Sequence, residues 1–242
     1  LIPFVFSFLA FAMKGKNSGT VALMSSVITM LLSLFAAARF QNHPDAFLIS
    51  ESWIKNLGIN FSISVESLNI LLILLTGIVT PFIILSSRRN EYKNENSFYS
   101  LLLLMQSALF GVFLAKDAFL FYVFYEIALI PIYFICALWG GKNRIRITLK
   151  FFIYTLAGSL FMLAAIIYLG VKAGNFSLAS FYSLSLSSKE QLWLLASFFA
   201  AFAVKIPIFP FHTWQPDTYT DAPVGGTMLL SGIMLKMGLY GL

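Results

Sequence analysis

The sequence predicts an all-α membrane protein, a polytopic bundle of transmembrane helices in which one helix is broken by prolines. Three observations carry that prediction. Hydrophobic residues make up 59% of the 242 residues and charged residues only 11%, against about half and about a quarter in a soluble domain. The apolar residues fall in runs of about 20, the length that crosses a ~30 Å hydrocarbon core. One run places Pro207 and Pro210 directly after a lysine, Lys205. Proline removes a helix hydrogen bond and clashes with the preceding turn. At membrane depth such a break survives only where the freed backbone is buried in protein or lines a wet cavity.

In chain order, the runs place a short apolar segment at 1–13 and helices near 19–38, 67–87, 97–116, 118–140, 148–171, 191–212 and 222–242. Segment 1–13 is short for a span. Both chain ends read as cut, so the expectation is the N-terminal portion of a longer protein. No basic stretch precedes a short apolar run in the manner of a signal peptide. The longest polar stretch, Gln41 to Glu66, contains the run from Asn60 to Glu66, which alternates apolar and polar residues as a short strand does. A small extramembrane hairpin is expected there. Segments 97–116 and 118–140 are separated only around Asp117, which predicts a tight antiparallel pair. The glycine-led basic stretch from Gly140 to Lys150 reads as an interfacial turn against anionic lipid headgroups. This divides the chain into N-terminal helices with a hairpin (1–96) and a helical repeat (97–242).

The formal net charge of +6 invites a nucleic-acid reading, but the basic residues sit mainly in short loops between apolar runs. Nine fall on one side (Lys14, Lys16, Arg88, Arg89, Lys93, Lys142, Arg144, Arg146 and Lys150) and five on the other (Arg39, Lys55, Lys116, Lys172 and Lys189). The positive-inside rule accounts for that bias, puts the nine-residue side in the cytoplasm and the N-terminus outside, and fits a bacterial inner membrane. Cys136 is the only cysteine, which excludes an internal disulfide or a multi-cysteine metal site and reads as a small buried apolar residue. The sequence has no Walker A, CxxC, HExxH or dinucleotide fingerprint. Nothing in it points to a bound metal, nucleotide, flavin, haem or iron–sulfur cluster.

The chemistry sits in three charges placed inside spans. At ~1.5 Å rise per residue, Glu126 lies roughly 12 Å into its helix, Lys205 about 21 Å from one end of its own, and Lys236 about 21 Å from the opposite end of the last helix. An ionised side chain at the bilayer centre costs from ~2.5 kcal/mol upward, so such residues are functional candidates that face one another or a water-filled path. Segment 118–140 is therefore expected beside 191–212 and 222–242. Burial disfavours a charged lysine and a nearby carboxylate favours it, so movement of Glu126 relative to Lys205 would switch proton binding. Lys205 would then pass the proton over hydroxyls and water towards Lys236 and His212, with Pro207 and Pro210 supplying mobility and free carbonyls. A static Glu126–Lys205 ion pair that only fixes helix packing is the competing reading. His212 fits an interfacial histidine bonded to backbone as well as it fits a relay. Thr148, Thr155, Ser159, Thr227 and Ser231 recur at helical spacings, where hydroxyls bond the backbone or a neighbouring helix more often than they relay protons. Gly225, Gly226, Gly232 and Gly238 read as close-packing positions.

Four stretches carry a resemblance: FYEIALIPIYFICALWGGKNRI (124–145), KFFIYTLAGSLFMLAAIIYLG (150–170), AVKIPIFPFHTWQPDTYTDAPVGG (203–226) and SGIMLKMGLYG (231–241). Together they resemble the proton-translocating, antiporter-like membrane subunits of respiratory NADH:quinone oxidoreductase (complex I). The likeness covers most of 65–242, and the Leu-Ile-Pro-Ile-Tyr run after Glu126 is most similar to the family's M, or chain 4, branch. The resemblance implies a membrane-arm subunit with no redox centre of its own, its NADH, flavin, iron–sulfur clusters and quinone being bound by other subunits. It implies partners among the other membrane subunits, together with lipid, protons and channel water, and no nucleic acid. It also implies that Glu126 matches the family's helix glutamate, Lys205 the lysine of the broken helix, Lys236 the onward proton carrier, and His212 the histidine of a Phe-His-Thr-Trp motif. Two departures stand out. Tyr219 occupies a turn position where the family usually has a second histidine, and the family's inverted second repeat lies beyond Leu242. A multisubunit sodium/proton antiporter of the same fold is the alternative, and a purely structural scaffold is a third.

Overall fold

The computed structural model describes residues 1–13, 15–40, 47–90 and 92–242. Lys14, the side chain of Lys16, and residues 41–46 of the polar stretch lie outside the described residues. The chain is a helix bundle, as expected. The N-terminal half supplies α1 (Ile2–Ala12), α2 (Lys16–Phe40), α3 (Asn69–Ser87) and α4 (Glu95–Leu114). Then come α5 (Ala118–Ile127), α6 (Leu129–Trp139), α7 (Arg144–Ala173), α8 (Leu178–Tyr182) and α9 (Ser188–Lys205). The last third holds α10 (Gln215–Asp221), α11 (Val224–Leu229) and α12 (Leu235–Gly241). Among the described residues five spans are long and apolar enough to cross a membrane: Asn17–Phe40, Asn69–Ser87, Glu95–Leu114, Ala118–Trp139 and Arg144–Ala173. Large apolar side chains such as Leu31, Leu71, Phe82, Ile153 and Val171 point outward. Exposed apolar surface on that scale marks a membrane or protein contact, and here it clothes helices of spanning length.

The expected hairpin is present. Strands β1 (Ile49–Ile54) and β2 (Ile59–Ile63) pair antiparallel, Ile49 opposite Ile63, around a turn in which Gly58 takes φ +68°. The hairpin is laced into the helix connections beside it. Ser64 N–H donates to the Leu114 carbonyl (2.9 Å), Lys116 N–H to Ser62 (2.8 Å), Ala118 N–H to Phe176 (2.8 Å), and Leu178 N–H to Lys116 (3.1 Å). Three loops thereby satisfy one another's backbone groups, which is what a surface segment pressed against apolar helix ends requires. Lys116 and Glu66 add an ion pair there. At the opposite end Trp139 Nε1 donates to the Lys93 carbonyl (2.7 Å), Gly141 N–H to Asp221 (2.8 Å), and Lys150 Nζ to the Thr213 carbonyl (2.7 Å) and to Asp217 (2.9 Å). The described loops therefore sort onto the two ends that the charge bias assigned.

The helix boundaries depart from the expectation in three places. The span expected at 118–140 is two helices that meet at Ala128. Pro131 explains the join: its missing N–H cannot bond the carbonyl of Ile127, and its ring presses on the same turn. The helix expected at 191–212 stops at Lys205. The run from Phe211 to Trp214 is a 3₁₀ turn, and α10 follows it. The last helix, expected as one run over 222–242, contains a π turn, Leu230–Met234, between α11 and α12.

Packing fixes these pieces. Helix α9 opens with a capping box in which Ser187 and Glu190 satisfy each other's backbone N–H groups. Glu190 also binds Lys172 (2.5 Å) and Tyr168 of α7. Further along, α7 and α9 touch through Gly158, where a Cβ would stand 3.2 Å from the Val204 side chain. Helices α4 and α5 form the expected antiparallel pair. The N-terminal helices α1, α2 and α3 all pack on α4, and α3 also packs on α11, so residues 1–96 share one interior with the rest.

Asp117 controls the start of α5. Its Oδ1 accepts from the N–H groups of Phe119 and Leu120 (3.0 and 3.1 Å), and its Oδ2 from Asn60 N–H of the hairpin (3.1 Å). Burial nonetheless holds its carboxyl above the usual range. Replacing Asp117 by alanine should cost about 1–2 kcal/mol through the lost N-cap, read as a lower unfolding midpoint in detergent, while Asp117→Asn should keep most of the stability. Equal midpoints for the alanine variant and the parent would show that the clamp carries nothing.

Candidate functional site

The site forms where α9 ends. A helix stopping at Lys205 leaves its last carbonyls without helical donors, and Pro207 has no N–H to offer. Ile206 N–H still makes the regular helical bond to Phe202 (2.8 Å), and the structure supplies substitutes beyond it: Ile208 N–H donates to Ala203 (2.8 Å) and Trp214 Nε1 to Val204 (2.9 Å). Trp214 is buried, its ring tilted against Phe151 of α7 with centroids 4.9 Å apart. The break is thus closed by the segment that follows it, and Lys205 is held at its edge.

Lys205 is 1% exposed, and no hydrogen-bond acceptor reaches its Nζ. Its ammonium lies over the ring of Tyr125, 4.9 Å from the centroid, a cation–π contact worth about 2 kcal/mol or more when desolvated. Tyr125 is itself buried on α5, one residue before Glu126. The Glu126 carboxylate is within electrostatic reach of Lys205. Its Oε1 is enclosed without a hydrogen-bond partner, and no ion-pair contact between the two is present among the described residues. Ser159 of α7 faces both Glu126 and Tyr122. Its proton is held by the Leu156 carbonyl (2.9 Å), so it can donate to the glutamate only by rotating. The acid and the base are neighbours that do not touch.

Lys236 lies one helix over. Helix α12 meets the end of α9 at Gly238, where a Cβ would stand 3.3 Å from the Cβ of Lys205 and 2.7 Å from Ile206; only a glycine allows this approach. The Lys236 ammonium donates to the Ser231 carbonyl (2.8 Å). That carbonyl lies five residues back, in the π turn, whose i→i+5 pattern releases a backbone acceptor that an α-helix would have used. Ser231 Oγ donates to Thr227 (2.8 Å) and Thr155 Oγ1 to Phe151 (2.9 Å), so these hydroxyls serve the backbone. His212 stands apart, in the turn beyond the break. Its ring is 5.6 Å from Phe209, and its Nδ1 is buried without a partner. Tyr219 likewise has a buried hydroxyl without a hydrogen-bond partner.

The structure places Glu126, Lys205 and Lys236, which the sequence singled out, within the bundle, and adds Tyr125, Trp214 and the π turn, which it did not single out. Tyr125 was legible as an aromatic residue adjoining the buried acid. The indole of Trp214 was legible as a donor a few residues past the prolines. Nothing in Leu230–Met234 distinguishes a π turn from an α-helix. Among the described residues no cluster of side chains suits a metal ion.

An acid and two lysines inside a bundle of helices of spanning length, both lysines beside irregular turns, mark an integral membrane protein with charge carried inside its helices. The family model described as "NADH:quinone oxidoreductase/Mrp antiporter, TM" matches residues 115–242, and the chain belongs to that family. It is 39% identical over 227 residues to the NADH-quinone oxidoreductase subunit M of Rickettsia conorii, covering 91% of this chain and 46% of that protein. It is 40% identical to the F(420)H(2) dehydrogenase subunit M of Methanosarcina mazei, covering 100% and 51%. The fold superposes with a TM-score of 0.89 and 30% identity on a chain of respiratory complex I from Thermus thermophilus, covering 99% of this chain and 50% of that one. The chain thus spans about half the length of the curated relatives it matches.

The Trp214 bond offers a direct test of how the break is held. Trp214→Phe keeps the aromatic contact with Phe151 and removes the donor to Val204, leaving a buried carbonyl unpaired at a cost of about 1–3 kcal/mol. The expected readout is a lower unfolding midpoint in bicelles; an unchanged midpoint would mean that the carbonyl finds another donor.

Proposed function

We propose that this chain is part of the proton-translocating membrane arm of an NADH:quinone oxidoreductase, where it forms a half-channel and carries no redox centre. The observation that bears the reading is the Glu126–Lys205 arrangement. A buried ammonium rests on a tyrosine ring, within reach of a half-buried carboxylate whose Oε1 is enclosed, with neither group locked in an ion pair. A static pair would bring nitrogen and oxygen into contact to offset desolvation. The separation seen here leaves the acid free to approach or withdraw, and the base free to change its proton. Approach favours the charged lysine, and withdrawal favours release.

Released protons pass to Lys236, whose side chain is one helix away and already bonded to the π-turn carbonyl. The backbone around Pro207 and Pro210 permits the small movements this requires. His212 and Tyr219, each with a buried atom lacking a hydrogen-bond partner, flank the inward route beyond the break. Electron transfer on other subunits, which bind the NADH, flavin, iron–sulfur clusters and quinone, drives the change of charge. The partners are the other membrane subunits and the lipid, and the membrane is a bacterial inner membrane. The names of the relatives support this reading.

Lys205→Ala in the assembled complex should cut protons moved per electron by about tenfold or more, a barrier increase of ~1.4 kcal/mol or above. Electron transfer to quinone should persist when the membrane is uncoupled. An unchanged proton-to-electron ratio would remove Lys205 from the path. The family description also names an antiporter, and ion flux that depends on sodium and needs no electron donor would favour that second reading.

A further inference from the structure

Gln106 is a buried polar residue that the proton path does not use. It lies mid-span in α4 and is 0% exposed, and neither its Nε2 nor its Oε1 has a hydrogen-bond partner in the protein. A primary amide offers two donors and an acceptor oxygen with two lone pairs. Enclosing all of them unpaired in an apolar interior costs several kcal/mol, and buried polar groups are with few exceptions bonded to protein or to ordered water.

What faces Gln106 follows from the packing of α4 on the last helix. At one end a Cβ on Gly225 would stand 3.4 Å from the Phe98 ring. At the other, the rings of Phe113 and Tyr240 meet at 5.6 Å, and Tyr240 donates to the Phe113 carbonyl (3.2 Å). Phe98 to Phe113 and Gly225 to Tyr240 are runs of equal length, so the two segments keep step along their contact. Gln106 is as far past Phe98 as Ile233 is past Gly225, which sets it level with the π turn Leu230–Met234. It also precedes Phe113 by two turns at ~3.6 residues each, and therefore shares the Phe113 face of α4. A fully capable amide thus stands level with the one stretch of the opposing helix whose backbone departs from α geometry.

We infer that Gln106 anchors a buried water between α4 and the π turn of the helix that carries Lys236. Such a water needs two to four polar partners. The amide supplies both a donor and an acceptor, and the π turn supplies a backbone oxygen. The Ser231 carbonyl in that turn already receives the Lys236 ammonium (2.8 Å), so the water sits beside the lysine's own acceptor. The ligand class is water, neutral or carrying an extra proton. This site goes beyond the proton-path reading and stands whether or not that reading holds.

Met105 and Met234, both buried, adjoin Gln106 and close the π turn, and they make the site measurable. Radiolytic hydroxyl labelling of the protein in its native membrane, with mass spectrometry of the methionines, marks buried residues only where water is bound beside them. Labelling of Met234 in the parent protein is expected, together with a fall of about fivefold in Gln106→Leu, the scale of one lost hydrogen bond. Gln106→Asn, which keeps the amide, should retain more of the signal than the leucine variant. Absence of Met105 and Met234 labelling in the parent overturns the water site even if the leucine variant fails to insert. Equal labelling in parent and a correctly inserted leucine variant overturns the assignment to Gln106. Proton movement measured alongside bears only on the path through Lys205, so the two readings fail separately.

Discussion

The structure is organised around a lysine ammonium kept in an apolar interior without a carboxylate in contact. That condition demands a surrogate for water, and the Tyr125 ring is the surrogate. The ring must in turn be held at the right height. Asp117 does this from one end by fixing where α5 begins, and Pro131 from the other by ending it just past Glu126. Helix α9 must also stop at Lys205 without leaving its final carbonyls bare, which is the task of Ile206, Ile208 and Trp214. Each of these features is costly or unusual alone; together they bring one ammonium to one ring.

Much of this was readable from the residues. Hydropathy located the spans, because twenty apolar residues admit few other structures. The three intramembrane charges announced themselves by their desolvation cost, and the hairpin by its alternation. The helix ends at 127 and 205 were less accessible. Pro131, Pro207 and Pro210 each signal a break, but proline can also kink a helix that continues. Which outcome occurs depends on donors supplied from elsewhere, here the indole of Trp214. The π turn lies further out of reach: Ser231 and Gly232 weaken a helix there, but neither residue distinguishes a π turn from an α-helical one. Glu126 and Lys205 were expected to face one another; they lie within electrostatic reach with no ion-pair contact, and the Lys205 ammonium lies instead over the Tyr125 ring, which the sequence did not single out.

The two ends of the bundle are built differently. At the hairpin end, backbone pairs with backbone across three loops, and the Lys116–Glu66 and Lys172–Glu190 ion pairs add to that lacing. At the other end the described ties are mostly side chains meeting carbonyls and a carboxylate: Trp139 on Lys93, Lys150 on Thr213 and Asp217. The proline break and His212 lie on that side.

The two hydrogen bonds around Trp214 give the break a handle outside the membrane. Lys150, at the surface, grips the carbonyl of Thr213, and the next residue grips the carbonyl that precedes Lys205. A surface cation and a buried one are therefore coupled by a linkage only two residues long. The surface lysine and the last turn before Lys205 thus hold neighbouring residues of one short segment.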